Sequence, residues 1–194
     1  MSNDAWSHNI QYHPLVLRAV PHDCARALDV GCGRGLLASK LAERCREVIA
    51  IDIDRETLAN AVSPSPALRF LVGDVMTYPF AGGSFDLITA VASLHHLPLA
   101  PALTRLSYLL KSRGILAVIG LYKIQSPADY ATSALAMPIS WIQRRARPIA
   151  ETGAPLRGPS TTLRTIRAAC QEILPGAILR RRLFFRYSLL WRKP

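Results

Sequence analysis

The chain has 194 residues, enough for one domain with a full hydrophobic core and too few for two domains of ordinary size. Its mean hydropathy is +0.17. Hydrophobic residues make up 50%, which excludes a disordered chain, and no uncharged apolar stretch reaches the length of about 18 residues that a transmembrane helix needs. The net charge of +11 belongs to residues 98–194, which hold 16 basic and 3 acidic side chains, against 8 and 10 in residues 1–97. This asymmetry indicates an acidic partner, such as a nucleic acid, a membrane surface or an anionic substrate, without choosing among them.

The cysteine pattern points to a reduced compartment. Cys24, Cys32, Cys45 and Cys170 show no CxxC spacing and have no histidine neighbours. We therefore expect neither a metal site nor a disulfide framework. The first residues lack the basic start and apolar run of a signal peptide, so the cytoplasm is the expected location.

Apolar runs and helical patterns alternate as far as residue 122. One helix is predicted over residues 36–42, a second begins after the N-cap Asp54, and a third begins at Pro98. Strands that are continuous apolar runs and alternate with helices indicate a mostly parallel sheet covered by helices on both faces. Five such strands are predicted, at residues 26–30, 47–52, 69–74, 85–90 and 114–122.

The pattern changes after Lys123. A helical stretch and a loop are predicted for residues 123–160, and one more helix for residues 161–174. The tail, residues 177–191, mixes β-forming residues with arginines and favours two antiparallel edge strands.

The segment between the first strand and its helix is rich in glycine: Ala27-Leu-Asp-Val-Gly-Cys-Gly-Arg-Gly-Leu36. Glycines after a parallel strand let a ligand approach the backbone, beside the free N–H groups of the following helix. Two registers compete. Gly33-x-Gly35-x-x-Ala38 would pass for a dinucleotide fingerprint, whereas Asp29-x-Gly-x-Gly-x-Gly35 puts the first glycine directly after the strand.

Three later motifs favour the second register: Asp52 at the end of the second strand, Gly73-Asp74-Val75 at the end of the third, and Phe85-Asp86-Leu87-Ile88 running into Leu94-His-His-Leu97. With these motifs in order, residues 24–122 resemble the class I, Rossmann-like S-adenosylmethionine-dependent methyltransferases, especially the small-molecule branch. The resemblance implies a doubly wound α/β fold with a mostly parallel seven-stranded sheet, an antiparallel C-terminal hairpin and helices on both faces. One departure is Lys111-Ser-Arg-Gly114, where the family often has Pro-Gly before the fifth strand.

The resemblance also implies S-adenosyl-L-methionine as the cofactor and assigns its contacts residue by residue. Asp29 would hold the methionine amino group, Asp52 the ribose hydroxyls and Asp74 the adenine amino group. Ile53 would lie against the adenine face, and the Val75 N–H would assist Asp74. The complete set of implied cofactor contacts is Asp29, Gly31, Cys32, Gly33, Asp52, Ile53, Asp74, Val75 and Val91.

Catalytic candidates follow from the transfer chemistry. A sulfonium methyl group is already activated, so the enzyme chiefly aligns a nucleophile, and a general base is needed only if that nucleophile arrives protonated. By resemblance His96 is the first candidate, with His95 beside it, and the alternative is that both pack the loop. Tyr12 is a third catalytic candidate and would belong to an N-terminal lid, although a helix packed on the surface explains it as well.

A single methyltransferase domain is expected over 1–194. It divides into an N-terminal lid segment (1–23), a cofactor-binding core (24–122), a cap insertion (123–160), and a C-terminal helix with edge strands (161–194). The expected function is methyl transfer to a small, partly apolar acceptor that can be anionic, held beside the cap arginines Arg144, Arg145 and Arg147. The alternatives are an RNA methyltransferase, favoured by the basic second half, and a cofactor-binding partner subunit without catalysis. The sequence leaves the acceptor atom and the oligomeric state open.

Overall fold

A computed structural model describes residues 9–61, 65–125 and 158–194. One seven-stranded sheet runs through these residues, in the order β3-β2-β1-β4-β5-β7-β6. The strands β1 to β5 pair in parallel, while β7 is antiparallel to both β5 and β6. The strands are β1 (Arg26–Val30), β2 (Glu47–Asp52), β3 (Leu68–Val72), β4 (Phe85–Val91), β5 (Leu110–Leu121), β6 (Ile178–Arg182) and β7 (Arg186–Arg192).

Helices connect the strands, and two of them start at the polar caps that the sequence offers. The Asp54 carboxylate accepts the Glu56 N–H before α3, and the Thr162 hydroxyl accepts the Thr165 N–H before α5. Short 3-10 helices span Ile10–Tyr12 and Leu94–His96. The α-helices are α1 (His13–Leu17), α2 (Leu36–Ala42), α3 (Arg55–Ala59), α4 (Leu99–Leu109) and α5 (Leu163–Ile173).

Two hydrophobic cores lie on opposite faces of the sheet. Because side chains alternate along a strand, neighbouring residues of β1 enter different cores: Leu28 packs with α4 and α5, and Ala27 packs with α1 and α2. Both residues are fully buried. This explains why the central strands read as uninterrupted apolar runs.

The structure confirms the predicted doubly wound, mostly parallel sheet with its antiparallel C-terminal hairpin. β5 begins at Leu110, four residues before the predicted start, because Leu110 already pairs with Phe85 on β4. The register then shifts before Ile115, and Arg113 adopts a left-handed φ of 64° within this irregular stretch. The hairpin turn needs no glycine, since Phe184 and Phe185 adopt φ values of 59° and 57°.

Two predicted segments fall partly beyond the described residues. Residues 1–8 of the lid segment and 126–157 of the cap insertion are not described, and the division of the chain into four segments stays a prediction. Within the described ranges, no helix is both long and apolar enough to cross a membrane.

Candidate active site

The glycine loop after β1 needs its glycines for different physical reasons. Gly31, Gly33 and Gly35 all have positive φ values, 66°, 54° and 78°. A Cβ on Gly31 would collide with the Ser93 side chain, and one on Gly35 would lie 2.5 Å from the Phe70 ring. A Cβ on Gly33 would meet no atom closer than 4.0 Å. The space over Gly33 is therefore open, and a ligand can reach the backbone there.

Asp29 lies under this loop, in the middle of the sheet. Its side chain is buried, and the Thr89 hydroxyl on β4 donates a hydrogen bond of 2.7 Å to its Oδ1. Burial raises the pKa of Asp29 to about 7, the Thr89 hydrogen bond opposes that change, and the charge of Asp52 adds to it. A cationic group beside Asp29 would favour the ionised carboxylate.

Asp52 connects the loop to the end of β2. Its Oδ2 accepts the Gly33 N–H at 2.7 Å, and its Oδ1 accepts the Asp54 N–H at 3.0 Å. The next residue, Ile53, is 73% exposed, which is unusual for a large apolar side chain beside a buried strand. Asp52 and Ile53 thus offer a carboxylate and an apolar surface at the edge of the open space.

The turn after β3 carries Asp74 and Val75. The Asp74 Oδ1 accepts the Met76 N–H at 2.9 Å, and the Val75 side chain is buried in the core. Arg105 on α4 fixes this turn, since its guanidinium donates to the carbonyl oxygens of Val75, at 3.2 Å, and Tyr78, at 2.5 Å. The sequence analysis missed Arg105, because an arginine in a helical pattern carries no signal for a distant turn.

The loop after β4 closes the site on the other side of β1. Ala92, with φ 55°, donates its N–H to the Ile119 carbonyl, and the Ser93 hydroxyl donates to the Val30 carbonyl. These contacts hold the end of β4, and with it Val91, against the glycine loop.

The two histidines of this loop differ in environment. Their rings lie 3.9 Å apart, with His96 exposed and His95 partly buried. Burial lowers the pKa of His95 to about 4, and the charges of His96 and Arg186 add to the effect. The Nδ1 of His95 is buried and has no hydrogen-bond partner among the described residues. His95 is therefore neutral at pH 7 and still has one ring nitrogen to offer.

Tyr12 approaches the same region from the N-terminal segment. Its hydroxyl donates to the Leu183 carbonyl in the β6–β7 turn, at 3.1 Å. Burial raises the pKa of Tyr12, and the nearby charges of Arg186 and Arg182 oppose that rise. Arg186, which the sequence analysis did not single out, is thus close to both Tyr12 and His95.

The predicted site residues gather at one edge of the sheet. Those assigned to the cofactor lie at the carboxyl ends of β1 to β4 or directly after them, where ligands of open α/β sheets bind. His95, His96 and Tyr12 lie at the same edge, toward β5 and β7. The cap arginines, Arg144, Arg145 and Arg147, lie outside the described residues. Within the described ranges, no group of three or more His, Cys, Asp or Glu side chains could hold a metal ion.

Comparison with known proteins places the chain in a family. A family model described as a methyltransferase domain matches residues 28–118. An uncharacterized methyltransferase of Mycobacterium bovis is 35% identical over 195 residues, which cover 97% of this chain and 98% of that protein. The demethylmenaquinone methyltransferase of Beutenbergia cavernae is 34% identical over 86 residues, which cover 44% of this chain and 35% of that enzyme.

Solved structures share the fold. The YcgJ protein of Bacillus subtilis superimposes with a TM-score of 0.67 at 21% identity, over 90% of this chain and 71% of that chain. The N-methyltransferase NodS of Bradyrhizobium japonicum, in complex with S-adenosyl-L-homocysteine, gives a TM-score of 0.63 at 16% identity, over 95% and 87% of the two chains. The chain therefore belongs to the class I S-adenosylmethionine-dependent methyltransferases, and S-adenosylmethionine is its cofactor.

Proposed function

We propose that this methyltransferase acts on a small, partly apolar acceptor that carries a negative charge. The observation that carries the proposal is the pairing of two neighbouring regions at one sheet edge. The first is the open glycine cradle with its three acids. The second holds a neutral His95 with an unpartnered ring nitrogen beside the buried Arg186.

The cofactor is proposed to lie across the carboxyl ends of β1, β2 and β3. The open space over Gly33 fits a ligand that touches the backbone, and the exposed Ile53 fits the flat face of an adenine ring. Asp29 would receive the amino group, Asp52 the ribose hydroxyls and Asp74 the adenine amino group. The remaining proposed contacts are Gly31, Cys32, Val75 and Val91.

The bound cofactor supplies a methyl group activated by its sulfonium charge, so the chain's own residues have to hold an acceptor in line and exclude water. We propose His96 as the general base for an acceptor that arrives protonated, because its exposed ring can pass a proton on to water. With a pKa of about 4, His95 is too weak a base for this step, and its buried Nδ1 is better suited to hydrogen-bond the acceptor. The hydroxyl of Tyr12 donates a hydrogen bond to the Leu183 carbonyl, so Tyr12 would help to shape the site rather than move a proton.

Two experiments test the proposal. The protein is first titrated by calorimetry with S-adenosylmethionine, S-adenosylhomocysteine and NAD, and tighter binding of NAD would overturn the cofactor site. Methyl-labelled cofactor is then offered with separate metabolite, RNA and protein fractions. Label in the metabolite fraction supports the proposal, label in RNA supports the RNA methyltransferase, and cofactor binding without any labelled product supports the silent partner subunit.

Asp52→Ala and Asp54→Ala are the matched variants for the calorimetry. Both carboxylates lie at the end of β2, but only Asp52 bonds the glycine loop, while Asp54 caps α3. We expect Asp52→Ala to weaken cofactor binding by about 1–3 kcal/mol, the scale for a hydrogen bond to a charged group, and Asp54→Ala to leave it nearly unchanged.

We also propose a cytoplasmic location. The four cysteines are free thiols, and Cys24 and Cys45 lie close enough to hydrogen-bond without forming a disulfide. Buried free thiols fit a reducing compartment. Fractionation of cells that express a tagged protein tests the location.

A further inference from the structure

Arg186 is a buried cation without a carboxylate partner among the described residues. The residue is only 8% exposed, and it appears in none of the ion pairs that the described ranges contain. Burying a guanidinium group is costly unless charge and hydrogen bonds compensate for the lost water. Within the part of the chain that the structure describes, the burial of Arg186 is therefore compensated by hydrogen bonds alone, and a negatively charged ligand would compensate for its charge.

The hydrogen bonds of Arg186 leave part of its guanidinium group available. Nε and Nη2 both donate to the Asn9 Oδ1, at 3.2 and 2.7 Å, and Nη1 donates to the Phe184 carbonyl at 2.8 Å. Of the five guanidinium N–H bonds, one on Nη1 and one on Nη2 have no acceptor among the described residues. Because Nε and Nη2 share the Asn9 oxygen, they use one side of the guanidinium group and leave the end-on N–H of Nη2 for a ligand. A carboxylate binds this end of a guanidinium group when Nη1 donates its own end-on N–H beside it.

The position of Arg186 in the sheet brings these donors to the acceptor side of the site. Arg186 pairs with Leu121 at the carboxyl end of β5, and β5 lies next to β4. Two strand spacings, about 10 Å, therefore separate it from β4, whose following loop carries the histidines. The charge of Arg186 acts on both His95 and Tyr12, so three separate elements converge here.

From this geometry we propose that Arg186 binds a carboxylate group of the methyl acceptor. The assignment rests on the proposed function, and it names the charged group of the acceptor and the residue that selects it. The neutral amide of Asn9 holds the guanidinium in place without neutralising it, which keeps the positive charge for the ligand. The unpartnered Nδ1 of His95 would contact a second polar group of the same molecule.

The test measures carboxylate binding directly, without the acceptor's identity. The protein is saturated with S-adenosylhomocysteine and titrated by calorimetry with benzoate, phenylacetate and hexanoate, each beside its neutral amide. We expect at least one acid to bind 10-fold or more tightly than its amide. Arg186→Gln should abolish that preference, and Arg186→Lys should weaken acid binding because an ammonium group cannot form the paired contact. Arg180→Gln, an exposed arginine on β6, is the control and should bind as the wild type does.

Equal binding of acids and amides to the wild-type protein overturns the assignment, as does a folded Arg186→Gln variant that keeps the preference. If Arg186→Gln does not fold, Arg186→Lys decides the question, and acid binding equal to that of the wild type contradicts the proposal. Binding of S-adenosylhomocysteine is measured in the same titrations. Its absence in the wild-type protein would instead overturn the proposed function.

Discussion

The burial of Asp29 contributes a pH dependence to the stability of the cofactor-free protein. Its pKa is about 7 in the folded state, against 3.8 for an exposed carboxyl, so between these values the folded protein holds a proton that the unfolded chain has lost. A raised carboxyl pKa means that the contribution of Asp29 to the free energy of unfolding falls as pH rises from about 4 to 7. The lowered pKa of His95 acts in the opposite direction, so the comparison is made between variant and wild type at each pH. Asp29→Asn should remove this fall, so the variant should gain stability relative to the wild type as pH rises. Urea unfolding at pH 4.5, 6 and 8 measures the difference.

The matched control for this measurement is Asp86→Asn. Burial raises the pKa of Asp86, but the Lys111 ammonium and the Arg26 N–H outweigh it and lower the pKa overall. Its substitution should therefore cost stability at pH 6 and at pH 8, where the Asp86 carboxylate is charged in both states. A constant stability difference between Asp29→Asn and the wild type from pH 4.5 to 8 would show that Asp29 is ionised throughout.

Alanine substitutions at two glycines with the same backbone conformation separate an effect on ligand binding from an effect on stability. Gly33 and Gly83 have φ values of 54° and 63°, and each has open space where a Cβ would point. An alanine at either position should therefore cost about 1–2 kcal/mol of stability, the penalty for a left-handed residue. Only Gly33→Ala should also lower the affinity for S-adenosylhomocysteine, by 10-fold or more, because its Cβ enters the proposed cradle. Calorimetry on both variants tests this. If Gly33→Ala and Gly83→Ala bind S-adenosylhomocysteine with equal affinity, the cofactor does not lie against Gly33.

At the scale of elements, the predictable part of the fold and site is the part encoded locally. The glycine loop and the acids Asp52 and Asp74 are readable because each follows a strand directly, and parallel strands bring their carboxyl ends to one edge. Arg186 and Arg105 were not found in advance. Their roles depend on contacts with Asn9 and Tyr78, which are 177 and 27 residues away in sequence. The start of β5 was also missed, because no local signal extends a strand back through the polar residues after Leu110.

The 3-10 helix after β4 places its two histidines in different environments, with His96 exposed and His95 partly buried. We expect His96→Ala to lower turnover by about 10²- to 10⁴-fold while cofactor affinity changes little, for an alcohol, phenol or amine acceptor that must lose a proton. His95→Ala should mainly raise the apparent KM, because the buried Nδ1 is proposed to bind the acceptor. Steady-state kinetics with the identified acceptor separates the two effects. A fully active His96→Ala variant would show that His96 is not a general base and that both histidines only pack the loop.

At the scale of the whole molecule, the positive charge of the C-terminal half has an explanation that does not involve nucleic acid. The edge strand β6 carries Arg180, Arg181 and Arg182, and the neighbouring helix α5 exposes Arg164 and Arg167. Charged side chains on an edge strand prevent it from pairing with another sheet, which protects the hairpin from aggregation. Of these arginines, Arg164, Arg167 and Arg180 are exposed on α5 and β6, whereas the proposed acceptor site is formed by the β4 loop, Tyr12 and Arg186.

The triple variant Arg164→Gln, Arg167→Gln, Arg180→Gln tests whether this basic surface takes part in methyl transfer. We expect it to transfer methyl groups to the small acceptor as the wild type does, because none of the three residues lies at the proposed site. We also expect it to aggregate at lower protein concentration.

Salt dependence separates the two kinds of acceptor. A labelled single-stranded RNA should bind the wild type only through phosphate contacts, so its affinity should fall steeply between 50 and 200 mM salt. The binding constant should vary with salt concentration to the power of roughly −0.7 for each phosphate neutralised. Transfer to a small acceptor held by one buried guanidinium should change far less over that range, since buried charges are weakly screened. If the triple variant loses methyl transfer in parallel with RNA affinity, and wild-type turnover shows the same steep salt dependence, then RNA is the acceptor and the small-molecule proposal is wrong.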